Sequence, residues 1–383
     1  MPRSSSAEHP ALLIAAISGR ALAQSARRAG LVPLVADFFA DADTQDAAHA
    51  CRKLDGNIAR GFQWTSLANA LQALAAASPA PILGLVYGSG FEDRTKLLRL
   101  IAARWTLLGN DAATVNRLKD PNILFAELDR LGISHPATLS KRPARASGWL
   151  VKRKGGAGGS HIGVSGRAAG GRTVYYQEHI EGRPVSVLFA GNGSKACVLG
   201  FSEQWTKPSK RSPWRYGGAA RPVRLPATAR MAMAAAVERL TEAFGIVGLA
   251  SADFIVGGDN ALLLEINPRA GATLDIFDSA RTPLVALHLD SVLKRKLPKA
   301  QLTFAGAMAS AIVFAPSAVT VPFTMTWPDW AADRPKPGEL IDKNRPICTV
   351  WARAATRVAA KRLIAARTTK VLANLHDKSP GKS

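Results

Sequence analysis

Residues 261–271 read ALLLEINPRAG, and the passage from Leu264 to Asn267 decides how the rest of the chain is read. A short apolar run is the signature of a buried strand, in which side chains two residues apart point to one face. Glu265 and Asn267 therefore look the same way, with Ile266 turned into the core. An ionised carboxylate buried without a partner costs several kcal/mol. A cation, a basic side chain or a solvated cleft must face it.

The preceding stretch GLASADFIVGGDN, residues 248–260, reads as the partner strand, and its Gly257–Asn260 turn closes a hairpin. Asp253 then lies beside Glu265 and Asn267. Two carboxylates and an amide oxygen are hard ligands, suited to magnesium, or manganese, that stays partly hydrated and is shared with phosphates. A zinc site would ask for His or Cys. The competing reading is a buried salt bridge from Asp253 or Glu265 to Arg269.

Further upstream, GWLVKRKGGAGGSHIGV (148–164) runs from an apolar strand carrying Lys152 into Gly155, Gly156, Gly158 and Gly159. Such a loop lets backbone amides wrap phosphate oxygens and is flexible enough to act as a lid. It is equally a flexible hairpin loop, since it matches neither GxxxxGK[ST] nor GxGxxG before a helix. TVYYQEHIEGRPVSVLFAGNG (173–193) reads as two strands around a turn at Gly182, KACVLGFSEQW (195–205) as another strand, and Ala227–Phe244 as a helix.

The N-terminal part follows a different rhythm. A strand at Leu12–Ile17, a turn at Ser18 and Gly19, a helix to Arg28 and the strand LVPLVADFF (31–39) make a βαβ unit. ILGLVYGSGFEDRTKLLRLIA (82–102) repeats the passage from strand to helix. Residues up to about 110 thus form a small open α/β domain with a parallel sheet. Ligands in such sheets sit beyond the strand C-termini, which puts Ser89, Gly90, Phe91 and Glu92 at a candidate site. Glu92 reads alternatively as an acid of the first helical turn. Residues 111–132 look helical, broken at Asp120 and Pro121.

At 383 residues the chain is long enough for two or three domains, and 47% hydrophobic with 20% charged residues is an ordinary globular composition. The net charge of +22 is not ordinary. It would draw polyanions, but it is spread along the chain rather than gathered in one patch, which weighs against nucleic acid as the partner. Three scattered cysteines exclude a disulfide framework or a zinc knuckle and fit a reducing, cytoplasmic setting. Arg3 before ALLIAAIS and the A-x-A triplet at Ala21–Ala23 mimic a signal peptide, but Glu8, His9 and Pro10 interrupt the approach and Gly19 and Arg20 end the run. No apolar run reaches the ~20 residues that span a bilayer.

From about Pro10 to Leu375 the order of features resembles the ATP-grasp superfamily, most specifically in LLEINPR with the upstream ADF, and also in LVKRKGGAGGSHIG and QEHIEG. The resemblance implies mixed α/β and α+β architecture: an ATP-grasp fold preceded by a small open parallel α/β domain. Its parts would be an N-terminal domain at 1–110, a lid subdomain at 111–182, a metal-binding subdomain at 183–300 and a C-terminal segment at 301–383 that packs on the core and ends in a basic helix. It implies ATP and magnesium. Lys119 and Lys152 would contact the nucleotide phosphates, and Gly155, Gly156, Gly158 and Gly159 would form the lid loop. Gln177, Glu178, His179 and Ile180 would form the hinge that reads adenine. Asp253, Glu265 and Asn267 would hold the metal, and Arg269 would steady the transferred phosphoryl or acyl group. Where relatives hold the ribose with an acid after the hinge, this chain has Arg183 and Pro184, so that contact would fall to Glu181 or to a residue elsewhere. Ser251, where dipeptide ligases carry Arg, argues against that branch.

The implied chemistry is ATP-dependent joining of a carboxylate and an amine through an acylphosphate. GSGFED, EQW with RYGG, and RPKPGE with PICTVWA resemble the tyramine-glutamate ligases of methanofuran-type cofactor synthesis, which would make the substrates glutamate and an aromatic amine, with a homodimer allowed. Lys207, Lys210, Arg211, Arg215 and Arg221, interleaved with Trp205, Trp214 and Tyr216, would hold a carboxylate-rich substrate or simply anchor a basic loop. Asp275 and Asp278 would meet the amine or cap the next helix. His161 and His179 read as general bases or as solvated loop residues. Two other classes stay open: a kinase or carboxylase-type enzyme using the same phosphate site, and a non-catalytic basic nucleotide- or nucleic-acid-binding protein.

Overall fold

The computed structural model describes residues 9–56, 58, 60–164, 174–299 and 302–376; Arg3 and Glu8 of the signal-like stretch lie outside them. The N-terminal domain alternates β1 (Ala11–Ala15), α1 (Arg20–Arg28), β2 (Val32–Asp37), α2 (Ala42–Ala47), β3 (Ala50–Lys53), α3 (Trp64–Ala76), β4 (Ile82–Tyr87) and α4 (Thr95–Ala102). Its four strands form a parallel sheet in the order β3-β2-β1-β4. β1 is buried throughout, as expected of a parallel strand covered on both faces.

Helices α5 (Ala112–Lys119) and α6 (Pro121–Arg130) meet at Asp120, whose carboxylate caps α6 with proline in its first turn. A small sheet follows, made of β5 (Thr138–Leu139), β6 (Trp149–Arg153), β7 (Ile162–Val164) and β8 (Val174–Glu178) in the order β5-β8-β6-β7. The chain then enters an eight-stranded sheet through β9 (Arg183–Asn192), β10 (Ala196–Thr206) and β11 (Tyr216–Arg221). The predicted strands either side of Gly182 therefore lie in different sheets, and residues 179–182 cross between them.

Helix α7 (Ala227–Phe244) leads to the hairpin β12 (Val247–Gly257) and β13 (Asn260–Asn267). Then come α8 (Leu274–Phe277), α9 (Leu284–Leu293), β14 (Ala307–Phe314), β15 (Val319–Thr320), β16 (Ala331–Ala332), β17 (Leu340–Ile341), β18 (Pro346–Ala354) and α10 (Arg357–His376). The large sheet runs β13-β12-β9-β10-β11-β14-β18-β16, so the C-terminal strands extend the sheet that carries the hairpin. β15 and β17 pair separately.

One core packs α1 and β1 against α8, α9 and the large sheet. A second buries Leu118, Leu124, Phe125 and Leu128 of α5 and α6 against α7, β9 and β12; these two helices thus pack on the large sheet and its helix. The basic α10 buries Ala360, Ile364, Val371 and Leu375 against the C-terminal strands. Its Arg357 and Lys361 pair with Glu203, and Arg367 lies over Trp330. Much of its charge is thus tied to the fold. No described helix is long and apolar enough to cross a membrane.

Candidate active site

Strand register brings the acids together. Asp253 on β12 stands opposite Glu265 on β13, and Ser251 opposite Asn267. The Asn267 amide donates to the Asp253 carboxylate at 3.2 Å and to Glu265 at 3.3 Å. Gln204 on β10 donates to the other Asp253 oxygen at 3.2 Å. Lys119, at the end of α5, donates to Asn267 Oδ1 at 2.9 Å and lies 3.9 Å from Glu265. Sequence reasoning did not find Gln204; its only signal is a place in register on the same sheet face.

The electrostatics of the pair are unequal. Burial and the neighbouring Glu265 charge raise the Asp253 carboxyl, whereas Glu265 resists the upward push of burial because Lys119 and Lys152 hold it low. Two adjacent carboxylates and an amide are hard oxygen donors, and such a donor set fits a hard dication. Turning the Asn267 amide would offer its oxygen to the ion. Among the described residues no group of three or more His, Cys, Asp or Glu could hold a metal. The set here is two carboxylates and an amide.

Lys152 faces this hairpin from the small sheet. It is 4% exposed and donates to Gln177 at 2.5 Å across the β6–β8 pair. Burial lowers its pKa, opposed by Glu265 and Asp253. His161, held neutral by burial with its pKa near 4, leaves Nδ1 without a partner. That makes it a poor general base at neutral pH and a ready hydrogen-bond donor or acceptor.

The glycine loop lies across this space. Gly155 and Gly159 both adopt positive φ, +69° and +72°, a conformation that Cβ-bearing residues avoid. A Cβ on Gly159 would sit 1.8 Å from the Trp214 carbonyl, and one on Gly155 2.7 Å from Asp93 Cα. Tyr216 N–H donates to the Gly158 carbonyl at 3.0 Å. The glycine loop is therefore docked on the N-terminal domain and on the start of β11. The recess bordered by Lys119, Gly155, Gly156, His161 and Glu265 measures about 20 Å³, room for about one water. Alanine at Gly159 costs more than about 1 kcal/mol in the docked state, so Gly159→Ala is expected to lower turnover about tenfold, read from steady-state rates at saturating nucleotide.

At the hinge, the N–H groups of Glu178 and His179 bond to Ala137 and Gly148 carbonyls, both at 2.8 Å. Those two N–H groups are thus engaged in the small sheet, which leaves the other backbone groups of the Gln177–Ile180 stretch for the expected adenine contact. Ile180 is half-buried and Glu181 exposed beyond them. His179 meets the Trp214 ring edge-on at 6.2 Å.

Three expectations are corrected. Arg269 does not pair with Asp253 or Glu265: it is bound to Glu92 at 2.8 and 2.7 Å, both side chains buried. Glu92 precedes α4 rather than sitting in its first turn, and its second oxygen accepts from Gly90 N–H at 2.7 Å. The reason is topology, since the loop after β4 arrives beside the end of β13. Asp275 pairs with Arg20 at 2.6 Å. Asp275 is therefore no free amine receptor, while Asp278 pairs with Arg28 and accepts from Leu284 N–H at the start of α9, the helix-capping reading of the sequence. In the basic loop, Arg215 stacks on Phe314 and Trp205 lies under Lys361, which serves anchoring.

The fold is the ATP-grasp fold, with an N-terminal parallel-sheet domain. Residues 119–273 match the ATP-grasp domain family. The chain is similar to the biotin carboxylase domain of 2-oxoglutarate carboxylase from Hydrogenobacter thermophilus, solved as a dimer with MgADP, ADP and bicarbonate: TM-score 0.69, 12% identity, covering 92% of this chain and 88% of that one. It is also similar to the N5-carboxyaminoimidazole synthetase of Staphylococcus aureus with ADP, at TM-score 0.66 and 13% identity over 94% and 97%. The N5-carboxyaminoimidazole ribonucleotide synthetase of Thermus thermophilus gives 0.65 and 17% over 97% and 100%. No curated protein matches the chain.

Proposed function

We propose that the chain is an ADP-forming ligase that joins a carboxylate to an amine at the expense of ATP, with glutamate and an aromatic amine as the first pair to test. The observation that carries the reading is the convergence of Lys119 and Lys152 on Asp253, Glu265 and Asn267, under a glycine lid. Asp253, Glu265 and the Asn267 amide would hold magnesium, which when bound shields the charge that spreads over transferring phosphoryl oxygens. The two lysines supply fixed positive charge on the facing side. A triphosphate enters when the lid lifts, and its return excludes water from the activated carboxylate. The substrate carboxylate takes the γ-phosphoryl group and releases ADP; the amine then attacks the acyl carbon, phosphate leaves and the ammonium proton passes to solvent or phosphate. Arg269, fixed by Glu92 at the end of β13, would steady the oxyanion.

The test is ADP release from the purified protein with ATP and magnesium, supplied with glutamate, glutamate plus tyramine or other amines, or bicarbonate, with mass spectrometry of the products. The ligase reading expects ADP only when carboxylate and amine are both present, and a condensed product. ADP formation with bicarbonate and no dependence on an amine would replace it with the carboxylase-type reading.

A further inference from the structure

Gln177 is 1% exposed, and its amide nitrogen Nε2 has no hydrogen-bond partner among the described residues. A buried donor without a partner costs stability, so its presence points to a partner that arrives with a ligand. The neighbouring lysine fixes which end of the amide is free. Lys152 donates to Gln177 Oε1 at 2.5 Å, and an ammonium carries donors alone. Turning the amide over would set donor against donor, so Nε2 is the end left for a ligand.

Sheet register says where that end lies. Leu150 stands opposite Gln177 and Lys152 opposite Tyr175, and the two-residue period of a strand puts all four side chains on one face. All four are buried. This face looks toward the metal-type hairpin, since Lys152 and Tyr175 both feel the charge of Glu265. Tyr175 marks the end next to the glycine loop, where it borders the recess shared by Lys119, Gly155, Gly156 and Glu265. At the opposite end His179 N–H meets the Gly148 carbonyl, and the chain leaves for the large sheet. Gln177 therefore stands between Lys152 and the hinge.

Resting on the ATP-binding part of the ligase reading, we propose that Gln177 determines the choice of nucleobase, its Nε2 donating to N7 of a purine. A nucleotide laid with its phosphates at Lys119 and Lys152 and its base at the hinge carries the imidazole edge of that base past Gln177. In the anti conformer this edge leans toward the 5′-phosphate, and N7 is its acceptor. Adenine and guanine both carry N7, and pyrimidines do not. A neutral amide suits a neutral ring nitrogen, whereas the phosphate oxygens already face the ammonium groups of Lys119 and Lys152, which bind them more strongly. Gln177 thus selects purines, and telling adenine from guanine falls to the hinge backbone.

The experiment is calorimetric titration of the full chain, with magnesium present, using ADP and 7-deaza-ADP, in which a C–H group replaces N7 and the rest of the nucleotide is kept. The parent is expected to bind ADP about tenfold more tightly than the analogue. Gln177→Met keeps the length of the side chain and removes the amide, and it is expected to bind the two nucleotides alike. Equal binding of ADP and the analogue by the parent overturns the proposal, and this arm needs no variant. A preference that persists in Gln177→Met, whether both nucleotides are weakened or neither, gives N7 to another donor and overturns it as well. No binding of either nucleotide by the parent removes the ATP reading and this contact with it. A preference that Gln177→Met abolishes, in a protein that forms ADP from no substrate pair, would uphold the contact and remove the ligase reading.

Discussion

Lys152→Met is expected to lower ADP formation by about a hundred- to a thousandfold, the scale seen when one preorganised donor is removed from a transition-state charge site. The lysine is buried, faces two carboxylates and is oriented by Gln177. Methionine keeps the length and the apolar stem of the side chain, so the small sheet should hold its shape. Single-turnover measurements would place the loss in phosphoryl transfer, with nucleotide binding weakened far less than the rate. A variant within about threefold of the parent rate would exclude Lys152 from the reaction.

Glu92→Gln is expected to destabilise the protein by about 3–5 kcal/mol, because it leaves the Arg269 guanidinium buried beside a neutral group. Arg269 and Glu92 are 8% and 5% exposed and share two short bonds. Chemical denaturation at pH 7 measures the loss. Its pH dependence has a defined sign: burial would raise the Glu92 carboxyl, but Arg269 and Lys119 bring it below the usual carboxylate range. Its contribution is therefore complete above the unfolded value of about 4.5 and is lost as pH falls through the lower folded value. The gap between parent and variant should close in acid. A constant gap from pH 7 down to pH 3 would mean that the pair is not the cause.

The metal-type hairpin was legible because strand geometry has a period of two and a Gly-Gly-Asp-Asn turn fixes which residues face each other; Asp253, Glu265 and Asn267 meet as that logic requires. The βαβ rhythm of the N-terminal domain and the helix at Ala227–Phe244 were legible for the same local reasons. The partner of Arg269 was not, since Glu92 lies 177 positions away and nothing in either neighbourhood names the other. That Glu178 and His179 spend their N–H groups within the small sheet was not legible either, because it depends on where residues 137 and 148 arrive. Asp275 looked available because charge in a sequence carries no sign of its distant counter-charge, whereas the capping role of Asp278 is local and was legible.

Arg20 has a consequence for the order in which the molecule is made. Its guanidinium is buried and bound by Asp275 and, 313 positions downstream, by Asp333. At about 5–20 residues per second, some 15–60 s separate its emergence from a ribosome from that of Asp333. During that interval the N-terminal domain can form its parallel sheet, but Arg20 stays in water because its burying walls do not yet exist. The walls that bury Arg20 are thus completed by a residue made 313 positions after it.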